Sequence, residues 1–129
     1  MTVEVHVVTP EREVWSGDAT MVIARGIDGE VGIQQGHAPL LIRMAIGPLR
    51  VHQEGGEVRM VIDEGFMHVS SEGQETRVDV MADQATLESE IDAAAERERL
   101  DRAEVAVREG DEDAKRELRR AEVRLSLAE

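Results

Sequence analysis

The chain has no cysteine, which excludes disulfides, zinc–thiolate sites and thiol nucleophiles. Aromatic rings are nearly missing: Trp15 and Phe66 are the two in the sequence. An interior built without them has to be packed by branched aliphatic side chains. A small-molecule pocket, usually rich in aromatics, is disfavoured for the same reason. No apolar run approaches the roughly 18 residues that cross a bilayer as a helix. The opening residues, MTVEVHVVTPERE, carry neither a basic n-region nor an apolar h-region. No signal peptide is expected, and a cytosolic setting is. Positive charge is also short: 15 basic residues against 28 acidic ones leave a formal net charge of −13. Such a chain repels nucleic-acid phosphates and anionic lipid. Neither is an expected partner, and any membrane attachment should run through another protein. Walker A, G-x-G-x-x-G, H-E-x-x-H and G-x-S-x-G motifs are absent, and with them the common signatures of nucleotide and hydrolytic sites. His6, His37, His52 and His68 are scattered without the close spacing of metal ligands. No residue set stands out as an active site, so the chain reads as a non-enzyme.

What is there divides in two. Residues 1–87 hold ten of the eleven glycines and all three prolines, among Val, Ile, Met and Thr. Residues 88–129 hold one glycine and no proline, among Ala, Glu, Arg, Leu and Val. Strand formers with turn punctuation give way to helix formers without it. The expected organisation is a β module over 1–85 and a helical hairpin over 86–129. In the first part, Val3, Val5 and Val7 alternate with polar neighbours, as do Val58, Met60 and Ile62. Further strands are expected at Thr20 to Ala24, Leu40 to Ile46, Leu49 to Val51, Phe66 to Val69 and Val78 to Val80. Turns are expected at Asp28-Gly29, Gly55-Gly56, Glu64-Gly65 and Glu72-Gly73. Short strands at this spacing point to an antiparallel sandwich or barrel.

In the tail, residues placed 100° apart set Leu87, Ile91, Ala94, Ala95, Val105 and Ala106 on one stripe, with Thr86 or Asp83 as the helix cap. Gly110 suits the left-handed position after that helix, and Asp111 the next N-cap. The second stripe is Ala114, Leu118, Ala121, Leu125 and Ala128. Both stripes are Ala-rich and bury little area, so the hairpin must dock on something and is held weakly. Lys115, Arg116, Arg119, Arg120 and Arg124 lie outside the second stripe. They offer either a basic surface for an acidic partner or a solvated face paired with Glu112, Glu117 and Glu122.

Residues 29–41, GEVGIQQGHAPLL, set three glycines, a histidine and a proline between two strands. The order resembles the ε subunit of bacterial F-type ATP synthases (δ in mitochondria), whose pattern runs close to G-x-x-G-I-L-P-G-H-A-P-L. Gln34-Gln35 stands where that family usually has Leu-Pro. Val5 to Pro10 and Val14-Trp15-Ser16-Gly17 are similar to the family's opening strand and following turn. Gly65-Phe66 with Val69 resembles its G-G-F-x-x-V strand, and Ser89-Glu90-Ile91-Asp92 its E-E-I-D entry to the C-terminal helices. The resemblance covers essentially the whole chain.

The resemblance implies a ten-stranded sandwich and a mobile helical hairpin in a non-catalytic subunit of the central stalk. It implies binding to the γ subunit and the membrane c-ring, coupling proton-driven rotation to ATP synthesis in the α/β catalytic head. It places the chain at the cytoplasmic face of the cell membrane, attached only through the complex. By position, the contact loop falls on Glu30, Val31, Gly32, His37, Ala38 and Pro39. An extended hairpin would meet acidic residues of the head through Arg116, Arg119, Arg120 and Arg124 and so restrain ATP hydrolysis. Some members bind ATP on the hairpin as a regulatory ligand. The matching positions are Ile91, Asp92, Arg120 and Arg124, but Ala95 replaces the motif's arginine and Glu96 its alanine. The lost arginine removes a charge-assisted contact of roughly 1.5–3 kcal/mol, so ATP binding is expected to be weak or absent. No other cofactor is implied. The rival reading is a free-standing small-molecule-binding β module with a helical oligomerisation tail.

Overall fold

A computed structural model describes residues 1–128. Eight strands come first: β1 (Val3–Val8), β2 (Glu13–Ala19), β3 (Met21–Gly26), β4 (Gly29–Ile33), β5 (Leu40–Met44), β6 (Gly47–Gln53), β7 (Gly56–Glu72) and β8 (Glu75–Leu87). A 3₁₀ turn at Glu88–Glu90 then leads into α1 (Ala93–Arg108) and α2 (Ala114–Ala128). The strand order is β2-β1-β8-β7-β5-β3-β4, with β6 bridging β3 and β7. All pairs are antiparallel except β1 with β8, where Val3 to Val8 run parallel to Thr76 to Met81.

The count is eight strands, not ten. β7 has 17 residues and β8 has 13, and each runs through a place where two shorter strands would be counted. Glu64-Gly65 is a kink inside β7 rather than a turn. Glu64 (φ 61°) and Gly65 (φ 141°) both take positive φ, yet the β7–β8 register is the same before it (Asp63↔Gln84) and after it (Gly65↔Ala82). β5 and β6 lie end to end along β7, at Met44↔Gly65 and Gly47↔Ile62, so the kink falls where the sheet folds over into its second layer. Val14 to Gly17 belong to strand β2, not to a turn, and the glycine-rich segment begins with strand β4.

The core is aliphatic, as the missing aromatics require. Val3, Val5, Val7, Val22, Ile33, Leu49, Val51, Met60, Ile62, Met67, Val69, Val78 and Val80 form its centre, with Trp15 partly buried at its side. A second cluster joins hairpin to sandwich: Val61 on the outer face of the sheet, Ile46 in the β5–β6 connection, Val123 and Leu127 on α2, and Ile91 beside them. Val61 points away from the core that holds Met60 and Ile62 and is still 1% exposed, because α2 covers it.

The hairpin's phases differ from the expected ones. Asp92, not Asp83 or Thr86, caps α1, accepting from the Ala95 N–H at 3.2 Å. Its buried residues are Glu96 and Ala103, with Ala93, Ala95, Leu100, Ala106 and Val107 half-buried; of the expected stripe, Ala95 and Ala106 are thus partly covered while Ala94 and Val105 are exposed. The expected stripe was phased from Leu87, which lies in β8, and residues 88–92, a 3₁₀ turn and two extended residues rather than α-helix, rotate it out of register. On α2, Ala114, Ala121 and Leu125 are buried as expected, Leu118 is half-buried and Ala128 is exposed. Val123 and Leu127 sit about 200° round from Ala121 and Leu125, so α2 is buried on two sides, one against α1 and one against the sheet. Gly110 takes φ 91° as the turn requires, and Asp111 Oδ1 accepts from the Asp113 N–H at 3.0 Å.

Candidate functional site

The expected loop residues fall in two places. Gln34 to Pro39 connect β4 to β5 and are tied to the β7–β8 end. The Gly36 N–H donates to Thr76 Oγ1 (2.8 Å), Gln35 Nε2 to the Gln74 carbonyl (2.9 Å) and Ser71 Oγ to the His37 carbonyl (3.0 Å). The His37 N–H donates to the Gln34 carbonyl (3.1 Å), closing the turn with Gly36 at φ 87°. These bonds fix the loop without the Leu-Pro pair, and leave Ala38 and Pro39 exposed and His37 half-buried. Glu30, Val31 and Gly32 are on edge strand β4 instead. Val31 packs inward on the core, while Glu30 faces out and lies 3.9 Å from Arg50, on the side where α2 docks.

The basic side of α2 is occupied. Arg120 Nε meets Asp63 Oδ2 at 2.5 Å, and Arg120 Nη1 donates to Glu117 Oε1 at 2.7 Å. Asp63 is 3% exposed on β7. Burial disfavours the Arg120 cation, but hydrogen bonding and charge from Asp63 and Glu117 outweigh it and raise its pKa above the ordinary arginine value. Arg116 pairs with Glu64 at the β7 kink. Arg124 Nη1 reaches Glu96 Oε1 on α1 at 3.4 Å, and Arg99 pairs with the same oxygen. Lys115 pairs with Glu112 at 2.9 Å, one of the within-helix pairs expected. Arg119 alone of the four expected head contacts has no carboxylate partner among the described residues.

The 3₁₀ turn is pinned from both sides. Arg59 donates to both Glu88 oxygens (2.9 and 2.5 Å), and these contacts raise the Arg59 pKa. Arg12 donates to both Glu90 oxygens (2.8 and 2.9 Å), and with the Leu87 N–H it holds the Glu90 carboxyl below the usual range. Three partners went unseen in the sequence: Asp63, Glu64 and Glu96. One signal was present for the first two, since Val61 is a large apolar residue on the outward side of β7, which implies a covered face there.

The positions expected for ATP have other contacts. Ile91 packs in the second cluster, Asp92 caps α1, and Arg120 and Arg124 are ion-paired. Glu96, where the motif has alanine, places a carboxylate that is 4% exposed against Arg124.

Residues 2–88 match the family described as ATP synthase, Delta/Epsilon chain, beta-sandwich domain. The ATP synthase epsilon chain of Brevibacillus brevis is 45% identical over 105 residues, covering 81% of this chain and 75% of that one. That of Streptomyces coelicolor is 37% identical over 131 residues, covering 99% and 98%. Among solved structures, a chain in the cryo-EM structure of the Euglena gracilis mitochondrial ATP synthase, OSCP/F1/c-ring in rotational state 1, superposes with a TM-score of 0.75. It is 25% identical, and the match covers 96% of this chain and 75% of that one. Sandwich, hairpin and relatives agree along nearly the full length: the chain belongs to the ATP synthase epsilon-chain family, whose members are non-catalytic subunits of that complex.

Proposed function

We propose that this chain is a rotor-stalk subunit with its hairpin in the resting, docked state. In this reading the sandwich binds γ and the c-ring, with the Gln34 to Pro39 loop and the β4 edge at Glu30 and Gly32 as contact surface. The complex holds it at the cytoplasmic face of the membrane. When the hairpin leaves the sandwich, Arg116 and Arg120 lose Glu64 and Asp63 and become available to acidic residues of the α/β head. Restraint of ATP hydrolysis follows from that exchange. The observation that carries this reading is the neutralisation of Arg116 and Arg120 by Glu64 and Asp63, two carboxylates of the sandwich. A basic face already satisfied internally can act on a partner only after the hairpin moves. The test is reconstitution with γ, α and β of the same cell, using the full chain and a chain ending at Glu90. Retention of γ by both, with higher ATPase activity for the shorter, is the expected result. Loss of γ from both overturns the assignment.

ATP binds weakly or not at all at the hairpin, because Ala95 removes a cation and Glu96 adds an anion beside Arg124. Calorimetry should find no sub-millimolar ATP affinity that depends on Asp92 and Arg124; finding one contradicts this statement.

A further inference from the structure

Strand β7 changes sides at its kink. Before it, Met60 and Ile62 face the core; after it, Met67 and Val69 do. The even-numbered side chains thus turn from inside to outside across Glu64. Phe66 emerges exposed beside Met81, its exposed cross-strand partner on β8. The turn is made at Glu64, the one non-glycine residue with positive φ among the described residues. That conformation is costly for a residue with a side chain. The ladders are also open here. Met44 pairs with Gly65 and Gly47 with Ile62, but the register skips Ala45, Ile46 and Asp83.

A strand sends neighbouring side chains to opposite faces. Yet the consecutive carboxylates of Asp63 and Glu64 reach the same helix. Asp63 meets Arg120 and Glu64 meets Arg116, two cations about one turn apart on α2. The positive φ brings the Glu64 carboxylate round to the side of Asp63. An open point of the sandwich is therefore held from outside, by an element that is itself only docked. Without α2, two adjacent carboxylates face the same way with no cation between them and repel. Gly65 carries any movement to β8, since its backbone approaches Met81 and Ala82 closely enough to exclude a Cβ.

We propose that α2 is a latch on this corner of the sandwich. Docked, Arg116 and Arg120 hold the Asp63-Glu64 kink; with those cations withdrawn, the corner loosens and Phe66 shifts against Met81. Phe66 and Met81 lie outside the seam between hairpin and sandwich. The position of the hairpin is thereby registered on side chains that the seam does not include. Such coupling is reciprocal, so a contact that fixes Phe66 against Met81 favours the docked hairpin.

Nuclear magnetic resonance of the full chain with isotope-labelled methionine methyls tests this. A cross-strand neighbour lies within reach of an aromatic ring, so the Phe66 ring sets the Met81 methyl shift. Arg116→Ala together with Arg120→Ala removes both latches, whether or not α2 then leaves. The Met81 methyl signal should move toward its random-coil position. The Met60 methyl, in the core, should stay in place. Lys115→Ala breaks only a within-helix pair and should move neither. Glu64→Gly suits the positive φ unaided, so in that background the same double substitution should leave Met81 unmoved. An unmoved Met81 signal in the Arg116→Ala, Arg120→Ala chain overturns the proposal, as does equal movement in the Glu64→Gly background. If the double variant loses its core, shown by a moved Met60 signal, Arg116→Ala alone is read in the same way.

Discussion

Gly65 is a position that admits no side chain. Its φ is 141°, and a Cβ there would lie 2.2 Å from the Met81 carbonyl oxygen and 2.7 Å from Ala82 Cα. Neither obstacle is a flexible side-chain end. Gly65→Ala must either break the β7–β8 ladder at the fold of the sheet or move β8. We expect a loss of at least about 3 kcal/mol, from strain and overpacking together, measurable by denaturant unfolding; a near-neutral variant would show that the kink can relax. Glu90 illustrates a much smaller effect. Its carboxyl is held below the usual range by Arg12 and the Leu87 N–H, so its folded pKa lies below its unfolded one. The resulting stability is full above the unfolded pKa and disappears as pH falls through the folded one. The pair is half-exposed, so water screens it to below about 1 kcal/mol. Glu90→Gln should therefore lower the melting temperature slightly at neutral pH, with the difference vanishing in acid. An equal loss at every pH would assign the effect to packing instead.

At the scale of elements, the hairpin is held by a small apolar seam and one buried ion pair. Arg120→Ala leaves the Asp63 carboxylate buried without its cation, a loss of roughly 3–5 kcal/mol where a buried pair is broken. That exceeds what a seam of Ile46, Val61, Val123, Leu127 and Ile91 can absorb without moving, so α2 should undock. Hydrogen exchange should then reach α2 while β1 and β8 stay protected, and the double variant with Asp63→Ala should recover part of the loss. Protection of α2 in Arg120→Ala would mean that the seam suffices alone. The same elements show what a sequence can and cannot disclose. Alternation revealed β1 and the first half of β7, because one side of each faces a core, whereas β3 was legible as a short continuous apolar run. The second half of the hairpin loop was legible in Gly110 and Asp111, where backbone conformation dictates residue type. The α1 phase was not, since periodicity carries no information across a non-helical break. Asp63 escaped too: an acid alternating with apolar residues reads as solvent-facing until the element that covers it is known. Within the candidate site, the β4–β5 loop was legible as a motif, whereas the carboxylates that hold the α2 arginines, Asp63, Glu64 and Glu96, reach them only in three dimensions.

The whole molecule combines two parts of unequal robustness. The sandwich has a continuous core that includes none of the helical residues, whereas the hairpin leans on that core's outer face. Unfolding should follow that division. Helical circular dichroism is expected to fall at lower denaturant than the fluorescence of Trp15, which packs against the core; coincident transitions would show a single cooperative unit. The parallel pairing of β1 with β8 has a further consequence, for the order in which the chain is made. Val3 cannot meet Thr76, nor Val8 meet Met81, until that part of the chain has been synthesised. At about 5–20 residues per second, the wait is roughly 4–15 s. Throughout it Val3, Val5 and Val7, all fully buried in the finished sandwich, have only the β2 hairpin for company. The nascent strand is thus an open sticky edge on the ribosome. The carboxylates of Glu4, Glu11 and Glu13, on and beside that edge, are the charges that disfavour its pairing with a neighbouring nascent chain.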